Sequence, residues 1–317
     1  MCRSLARVFA AFLSTLLFSI SVISGHRTAK LIGGAEANFW RLSLATLFLG
    51  AWAFTSGHGV GGTGFPLFFL SGLVGIGVGD GALFQALPRL GSRLSLLLLQ
   101  CLTAPIAALI EWLWLGTRLG PVPITGAVII LAGVAVALAA GPHLATPRPQ
   151  LVTGVLFALI GALGNALGVV ISRKAYAVTR ASEETLDGGT AAFQRILGGL
   201  LIAALFLLIA KRQFIRRLGG SSHGDASTSV RDKWRRIWPW VAMNSLAGQT
   251  LGVSFLQSAL ETTPTGIVMS IVALTPLTVM PLARIFEGEA ITARALMGGA
   301  IAVAGVVMLT LSKVSTH

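Results

Sequence analysis

Asp80 is the ionisable side chain with the most informative position, because it lies well inside an apolar stretch near residues 65 to 87. A bare carboxylate is costly at that depth in a nonpolar segment, so we expect it to face protein or a cavity. Two interpretations of its chemistry stay open. It carries protons or pairs with a substrate cation, or it is a protonated or hydrogen-bonded carboxyl that ties helices together.

Two arginines occupy similar sequence contexts, each near the start of an apolar stretch. Arg41 ends the motif FWR at 39 to 41, and Arg195 ends the motif FQR at 193 to 195. A long guanidinium side chain in such a place either binds an anionic substrate near a cavity or extends to the lipid headgroups. The sequence favours the headgroup interpretation for both, with anion binding as the alternative.

Uncharged amide side chains are the remaining candidates for substrate contact, because an amide both donates and accepts hydrogen bonds. Amides also hold helices together in lipid, and that structural role is the favoured interpretation for each one individually. A site shared among them would use Pro105 and Pro276 as local helix breaks that free backbone carbonyls. The candidate amides are Gln85, Gln100, Asn165, Asn244, Gln249 and Gln257.

The sequence lacks the patterns expected of an enzyme or a metalloprotein. It contains no HExxH, Walker A or GxSxG motif, its five histidines are scattered, and its two cysteines are too few for a metal cluster. The GVGGTG stretch at 59 to 64 has the spacing of a dinucleotide fingerprint but no strand beside it, so we interpret it as a loop. We predict no catalytic residues, no metal and no cofactor.

Composition points to a membrane as the environment that holds these side chains. Hydrophobic residues make up 54% of the 317 positions and charged residues 11%, far from the averages of soluble domains. The net charge of +13 would suit nucleic acid, but the basic residues lie between apolar stretches, as in loops held at lipid headgroups. We therefore predict a multi-pass protein of the cell membrane that is embedded in the lipid bilayer. We do not expect it to bind nucleic acid.

Ten apolar stretches are long enough to cross a bilayer. Lipid offers the backbone no hydrogen-bond partners, and the stretches lack the alternation of a barrel, so each must be helical. The predicted fold is all-α and integral to the membrane, with ten transmembrane helices. The stretches lie near residues 8 to 24, 39 to 56, 65 to 87, 94 to 115, 121 to 140, 151 to 172, 189 to 210, 238 to 260, 264 to 286 and 295 to 312.

The chain reads as two related halves, residues 1–140 and 151–317, joined by a proline-rich linker at 141–150 that cannot continue a helix. LTAP at 102 to 105 matches ALTP at 273 to 276, and VIS at 22 to 24 recurs at 170 to 172. Glycines 126 and 133 match glycines 298 and 305. An odd number of spans in each half inserts the second copy from the opposite side, so we predict two inverted five-helix repeats.

Glycines also line two of the predicted spans at helical spacing. Such faces let helices approach closely in lipid, and we interpret them as packing surfaces, with hinges or cavity walls as the alternative. The two groups are Gly72, Gly75 and Gly79, and Gly161, Gly164 and Gly168.

These features together resemble the EamA-like transporters of the drug/metabolite transporter superfamily, over nearly the whole chain. The motifs that carry the resemblance are Pro105 followed by LGTRL at 115 to 119 and GAVIILAGV at 126 to 134, and Pro276 followed by EGEAI at 287 to 291 and GGAIAVAGV at 298 to 306. Thr117 stands where the family usually has Glu, and Ala290 where it usually has Arg. The resemblance implies ten spans, secondary transport of small metabolites and both termini on one side, without naming a substrate.

The basic residues and the resemblance disagree about orientation. Eight of the 24 Lys and Arg residues fall on the side of the termini and the others opposite, led by the segment 211 to 236, whose middle we predict to be disordered. The positive-inside tendency then puts the termini outside, whereas the resemblance favours the cytoplasm, and orientation stays open.

The sequence-based hypothesis is a secondary transporter, with export slightly favoured, that moves a small metabolite or drug-like compound by alternating access. The hypothesis includes coupling of transport to protons through Asp80. The sequence leaves the oligomeric state open. The alternatives are a non-transporting membrane scaffold or assembly subunit, which needs the same spans but no polar cavity, and an intramembrane enzyme, for which no nucleophile and base are recognisable.

Overall fold

The computed structural model describes residues 2–115, 121–139, 147–218, 227–262, 272, 274–288 and 292–312. Within these ranges the regular structure is helical and contains no strand. The all-helical prediction is confirmed, as expected for a chain whose long apolar runs must satisfy their backbone hydrogen bonds internally.

Among the described residues, the first half contains five helices and a π-helical segment. The π-helical segment, π1, continues directly from α3 into α4, so Asp80 ends π1 and the next residue starts α4. The elements are α1 (Cys2–Ile32), α2 (Gly34–Thr55), α3 (Phe65–Gly72), π1 (Leu73–Asp80), α4 (Gly81–Leu115) and α5 (Pro121–Ala139).

Among the described residues, the second half contains six helices and a π-helical segment, π2, which connects α8 directly to α9 as π1 connects α3 to α4. Each π-helical segment has eight residues, and the two are separated by the same sequence interval that separates Gly126 from Gly298. The elements are α6 (Arg148–Ala181), α7 (Gly188–Leu218), α8 (Ser227–Asn244), π2 (Ser245–Gly252), α9 (Val253–Thr262), α10 (Thr275–Glu287) and α11 (Ala293–Ser312).

Three helical stretches are long and apolar enough to cross a membrane by length and composition, among the residues that the structure describes. They are Phe65–Ala107, Arg148–Ala181 and Gly188–Lys211. Two shorter apolar stretches, Ile124–Val136 and Ala293–Met308, lie in α5 and α11.

Several helices extend beyond the predicted apolar stretches. Only Gly33 separates α1 from α2, and its φ of 84° is readily adopted by glycine. The segment 211 to 236 is helical up to Leu218 and again from Ser227, with 219–226 outside the described residues. This corrects the extent of the predicted loop, because its Lys, Arg and Gln residues favour helix and continue the helices they flank.

The break in α4 lies at Gly91, whose φ of 80° and ψ of 168° are not helical. The backbone is helical on both sides of it, including through Pro88 and Pro105. This corrects the expected break at Pro105, because the fixed φ of proline fits a helix and only its hydrogen-bond donor is missing. Pro276 lies in the first turn of α10, where the missing donor is not needed.

The two predicted glycine faces meet each other, which confirms their interpretation as packing surfaces. A Cβ on Gly168 would lie 2.8 Å from the Cα of Gly75, and a Cβ on Gly164 would lie 2.9 Å from the Cα of Gly79. The backbones of π1 and α6 therefore touch, and they run antiparallel. Ser71 at the end of α3 donates to the carbonyl oxygen of Gly168 at 2.7 Å and extends this contact.

The helices α5 and α11 also pack antiparallel through small residues, and their contacts are reciprocal. A Cβ on Gly133 would lie 2.7 Å from the carbonyl oxygen of Gly298, and a Cβ on Gly305 would lie 2.8 Å from that of Gly126. Because the sequence pairs 126 with 298 and 133 with 305, each half presents the same surface to the other.

The first helix of each half packs against the other half. Helix α1 contacts α8, π2, α9 and α10, and α6 contacts α3, π1 and α4. Helix α2 packs along α7, where Gly50 faces Phe193 and Gly57 faces Thr190, so these two helices are also antiparallel. This interleaving surrounds a space at the middle of the bundle.

Candidate functional site

A cavity of about 110 Å³ lies in this central space, between residues of both halves. Helices α1, α2, α4, α6, α7 and α9 contribute to its lining, together with both π-helical segments. The cavity brings together seven of the residues that the sequence predicted for the site. They are Arg41, Asp80, Gln100, Asn165, Arg195, Gln249 and Gln257.

Asp80 is held by two donors at one of its carboxylate oxygens. The Nη2 atom of Arg41 lies 2.9 Å from Oδ2, and the Nε2 atom of Gln249 donates to the same oxygen at 2.8 Å. Asp80 is the last residue of π1, and its side chain contacts both α2 and π2. Asp80 therefore ties three elements together while still lining the cavity, so the geometry accommodates both interpretations of this residue.

Arg41 is buried, and its charge is compensated. It donates to the side-chain oxygen of Asn38 at 2.7 Å as well as to Asp80, and its guanidinium lies 4.6 Å from the ring centroid of Phe84. Only 4% of the residue is exposed. This corrects the favoured expectation that Arg41 extends to the headgroups, because the face of α2 that carries Asn38 and Arg41 is turned into the bundle.

Arg195 is equally buried, at 5% exposed, which corrects the same expectation for this residue. Its Nε atom has no hydrogen-bond partner, and within the described part of the chain no carboxylate oxygen lies within 4.0 Å of it. The guanidinium lies against Gly75, where a Cβ would be 3.5 Å from Nη2.

Two amides present unpaired polar atoms to the cavity. Both the Nε2 and Oε1 atoms of Gln257 are buried without a hydrogen-bond partner, and the residue is 0% exposed. The Oε1 atom of Gln249 is also unpaired, although its Nε2 binds Asp80. An unsatisfied buried polar group costs about 1–3 kcal/mol, so these atoms indicate a place for water or a ligand.

The remaining candidate amides, Gln85 and Asn244, do not line the central cavity. Gln85 lines a second, mostly apolar cavity of about 290 Å³ with Asn38, and its Oε1 accepts from Arg89 at 3.3 Å. The Oδ1 atom of Asn244 accepts from the hydroxyl of Ser21 at 2.6 Å and so joins the end of α8 to α1. Both side chains make the kind of contact expected of structural amides.

Comparison with protein families identifies the architecture around this cavity. The model of the EamA-like transporter family matches residues 5–139 and 152–311, most of the chain in two regions. The chain belongs to the EamA-like transporter family. It is therefore a membrane transporter of the drug/metabolite transporter superfamily, and the members of this family are not enzymes.

A solved structure described only as "Crystal structure of protein" shares the fold of this EamA-like transporter. Its TM-score is 0.63 with 18% sequence identity, and the match covers 97% of this chain and 96% of that chain. At this identity the likeness concerns the fold alone. None of the curated proteins matches the chain significantly.

Asn38 was not predicted for the site, although the sequence contains a signal for it. It lies three residues before Arg41, a spacing that puts two side chains on one helix face. A polar residue at this spacing from a buried arginine is its natural partner.

Polar contacts also link helices of this EamA-like transporter at the end of the bundle where α1 meets α2, and the sequence did not predict them. The Nδ1 atom of His26 lies 2.7 Å from Oε1 of Glu287, and the hydroxyl of Ser92 donates to Oε2 of Glu287 at 2.8 Å. These contacts, here called the His26 tie, join α1, α4 and α10. His26 lies four to eight residues beyond the cavity-lining part of α1, Phe18 to Val22.

A second set of contacts, here called the Glu184 tie, lies at the opposite end of α2, beside Thr55. Glu184 accepts from the backbone N–H of Thr63 at 2.9 Å, and Gln194 donates to the carbonyl oxygens of Gly59 and Gly61. Nearby Asp187 accepts from Trp52 and Thr190. Burial raises the pKa of Asp187, but the hydrogen bonds from Thr190, Trp52 and Gly189 outweigh it and hold this pKa below its usual value.

Proposed function

We propose that the chain is a secondary transporter that moves a small metabolite through the central cavity by alternating access. The observation that carries the proposal is the cavity itself, which both halves line and which contains an ion pair, a further buried cation and unpaired amides. Such groups are expensive inside a membrane protein and mark a substrate or ion pathway.

The proposal includes ten spans in two inverted repeats, residues 1–140 and 151–317, with 141–150 between them. The antiparallel, reciprocal contact of α5 with α11 supports this symmetry, and so does the antiparallel contact of α2 with α7. Two halves related in this way can exchange their conformations, which opens a site between them to each side in turn.

In this mechanism the two ties act as alternate gates. Both ties are formed in the described conformation, one toward each end of the bundle. Opening one end requires that one tie breaks while the other persists. The π-helical segments suit the pivots of such a motion, because π-bulges commonly occur at functional sites and both segments meet at Asp80.

Proton coupling through Asp80 and export across the cell membrane are the finer parts of the proposal. A carboxylate that lines the cavity and also joins π1 to π2 links its protonation to the contact between the halves. Asp80→Asn should abolish uphill transport driven by a proton gradient in proteoliposomes while leaving exchange of substrate intact. Unchanged uphill transport would remove Asp80 from the coupling.

Accessibility of the cavity tests the transport mechanism directly. In a chain with Cys2→Ser and Cys101→Ala, a thiol introduced by Asn165→Cys should react with membrane-impermeant reagents added from either side of the membrane. The matched control is Ala158→Cys, on the same helix but 0% exposed and packed in the core. A scaffold would keep position 165 as unreactive as position 158, and that result would refute transport.

A further inference from the structure

We infer that the transported metabolite is a small organic carboxylate with one negative charge, anchored by the guanidinium of Arg195. This inference rests on the transport function proposed above and names the substrate class of the same cavity. It is drawn from the charge balance of the cavity, from its unpaired donors and from its size.

Charge balance sets the sign and number of the substrate's charges. Among the residues that the structure describes, three ionisable side chains line the cavity, and two of them, Arg41 and Asp80, form an ion pair at 2.9 Å. Arg195 leaves one positive charge without a carboxylate partner in the described residues. A buried charge is stable only when it is paired, so a single anionic group on the substrate completes the site.

The relation between the two halves supports the same assignment. Arg41 and Arg195 end the matching motifs FWR and FQR, but the position that matches Asp80 in the second half is Gly252, because π1 ends with Asp80 and π2 ends with Gly252. The second half therefore has the arginine, Arg195, but no carboxylate at the position that matches Asp80. In the bound state the carboxylate of the substrate forms an ion pair with Arg195, as Asp80 does with Arg41.

Unpaired donors on two residues that line the same cavity fit such a ligand. The Nε atom of Arg195 and the Nε2 atom of Gln257 are buried donors without acceptors, and a carboxylate is an acceptor that suits both a guanidinium and an amide N–H. Gly75 and Arg195 both line the cavity, and glycine contributes no side chain that would stand over the guanidinium. The unpaired Oε1 atoms of Gln249 and Gln257 are acceptors that suit a hydroxyl or amine elsewhere on the substrate.

Size and the remaining lining restrict the body of the substrate. The cavity of about 110 Å³ is well below the roughly 300–1,000 Å³ of pockets for drug-sized ligands, so a small metabolite fits better than a drug. The lining away from the charges is largely apolar. It includes Phe18, Val22, Leu83, Leu99, Val169 and Leu256.

Charged thiol reagents measure this preference without knowledge of the substrate. In the Asn165→Cys chain described above, we compare the anionic sulfonatoethyl and the cationic trimethylammonioethyl methanethiosulfonate, each relative to its rate with a free thiol. Arg195→Gln should shift the ratio of the two rates by about tenfold toward the cationic reagent, the effect of one nearby charge at an intermediate dielectric. Arg195→Lys, which keeps the charge, should shift it little.

The possible results separate the two proposals. If neither reagent reaches position 165 from either side, transport through the cavity fails and the substrate assignment fails with it. If both reagents reach it but Arg195→Gln leaves their ratio unchanged, transport stands and the anion site alone is overturned.

Protection of the same thiol identifies the kind of oxyanion. The probes are 3-methylbutanoate, its neutral amide 3-methylbutanamide, and isobutyl phosphate, which carries more charge than Arg195 can neutralise. The carboxylate should slow labelling in the Arg195 chain and not in Arg195→Gln. Equal protection by the amide, stronger protection by the phosphate, or no protection by the carboxylate would overturn the carboxylate assignment.

Discussion

Arg41 and Arg195 end similar motifs and are buried to nearly the same extent, but only Arg41 has an ion-pair partner among the described residues. Arg41 has Asp80 and Asn38 as fixed partners, whereas Arg195 has an unpaired Nε and no ion pair with a described residue. The difference suggests that one half of the cavity is a structural support and the other half is free to receive a ligand. Each of the following predictions tests that division.

The largest expected effect comes from breaking the support. Asp80→Ala leaves Arg41 buried without a counter-charge, and removal of one partner of a buried ion pair costs about 3–5 kcal/mol. Arg195→Ala breaks no ion pair and should cost much less. Thermal unfolding of the purified variants in one detergent measures the comparison. Equal losses in the two variants would mean that Arg195 is a structural residue too.

A double variant sharpens this result. Arg41→Met combined with Asp80→Leu replaces the pair by apolar side chains, so it should unfold at a higher temperature than either single variant, because no charge is left unpaired. A double variant less stable than both singles would instead indicate that Arg41 is held mainly through Asn38 and Phe84.

An intermediate effect, with opposite signs, is expected for two cavity glutamines. Gln257→Leu removes two unpaired polar atoms and should stabilise the fold by about 1 kcal/mol while weakening substrate binding. Gln249→Leu removes the hydrogen bond to Asp80 and should destabilise the fold, also by about 1 kcal/mol. The same unfolding assay measures both. A loss of stability in Gln257→Leu would show that its amide has a structural partner.

The smallest expected effect concerns an acid outside the spans. The pKa of Asp187 is lowered in the folded chain, so the stability that its ionised form contributes is complete above the unfolded pKa, about 3.9. It is lost as the pH falls through the folded pKa. Asp187→Asn should therefore lower the unfolding temperature slightly at neutral pH and converge with the parent chain in strong acid. A constant difference at all pH values would contradict this assignment.

Much of the fold follows from the sequence because hydropathy and length identify helices directly. The positions of the helix breaks did not follow as well: proline suggested Pro105, but the non-helical residue is Gly91. A proline can remain in a helix at the loss of one hydrogen bond, whereas a φ of 80° is readily adopted by glycine. Sequence patterns give candidates for a break, and the neighbouring helices decide which one is used.

The sequence named residues that line the central cavity, but it did not predict how they pair. Asp80 was expected to face protein or a cavity, and it lines the cavity while contacting Arg41 and Gln249. Arg41 was assigned to the headgroups because nothing in α2 reveals that π1 packs beside it. Contacts between elements far apart in the chain, such as Gln249 with Asp80, depend on how the halves interleave. The His26 tie was missed for the same reason, since its members come from α1, α4 and α10.

The contact between π1 and α6 has a mechanical consequence. Where Gly75 meets Gly168 and Gly79 meets Gly164, no side chains interdigitate, so the surfaces lack the ridges and grooves that normally fix one helix against another. A slight rotation or translation along this seam requires no change of rotamer. Asp80 lies directly beside the seam, so such a slip would move its carboxylate relative to Arg41 and Gln249.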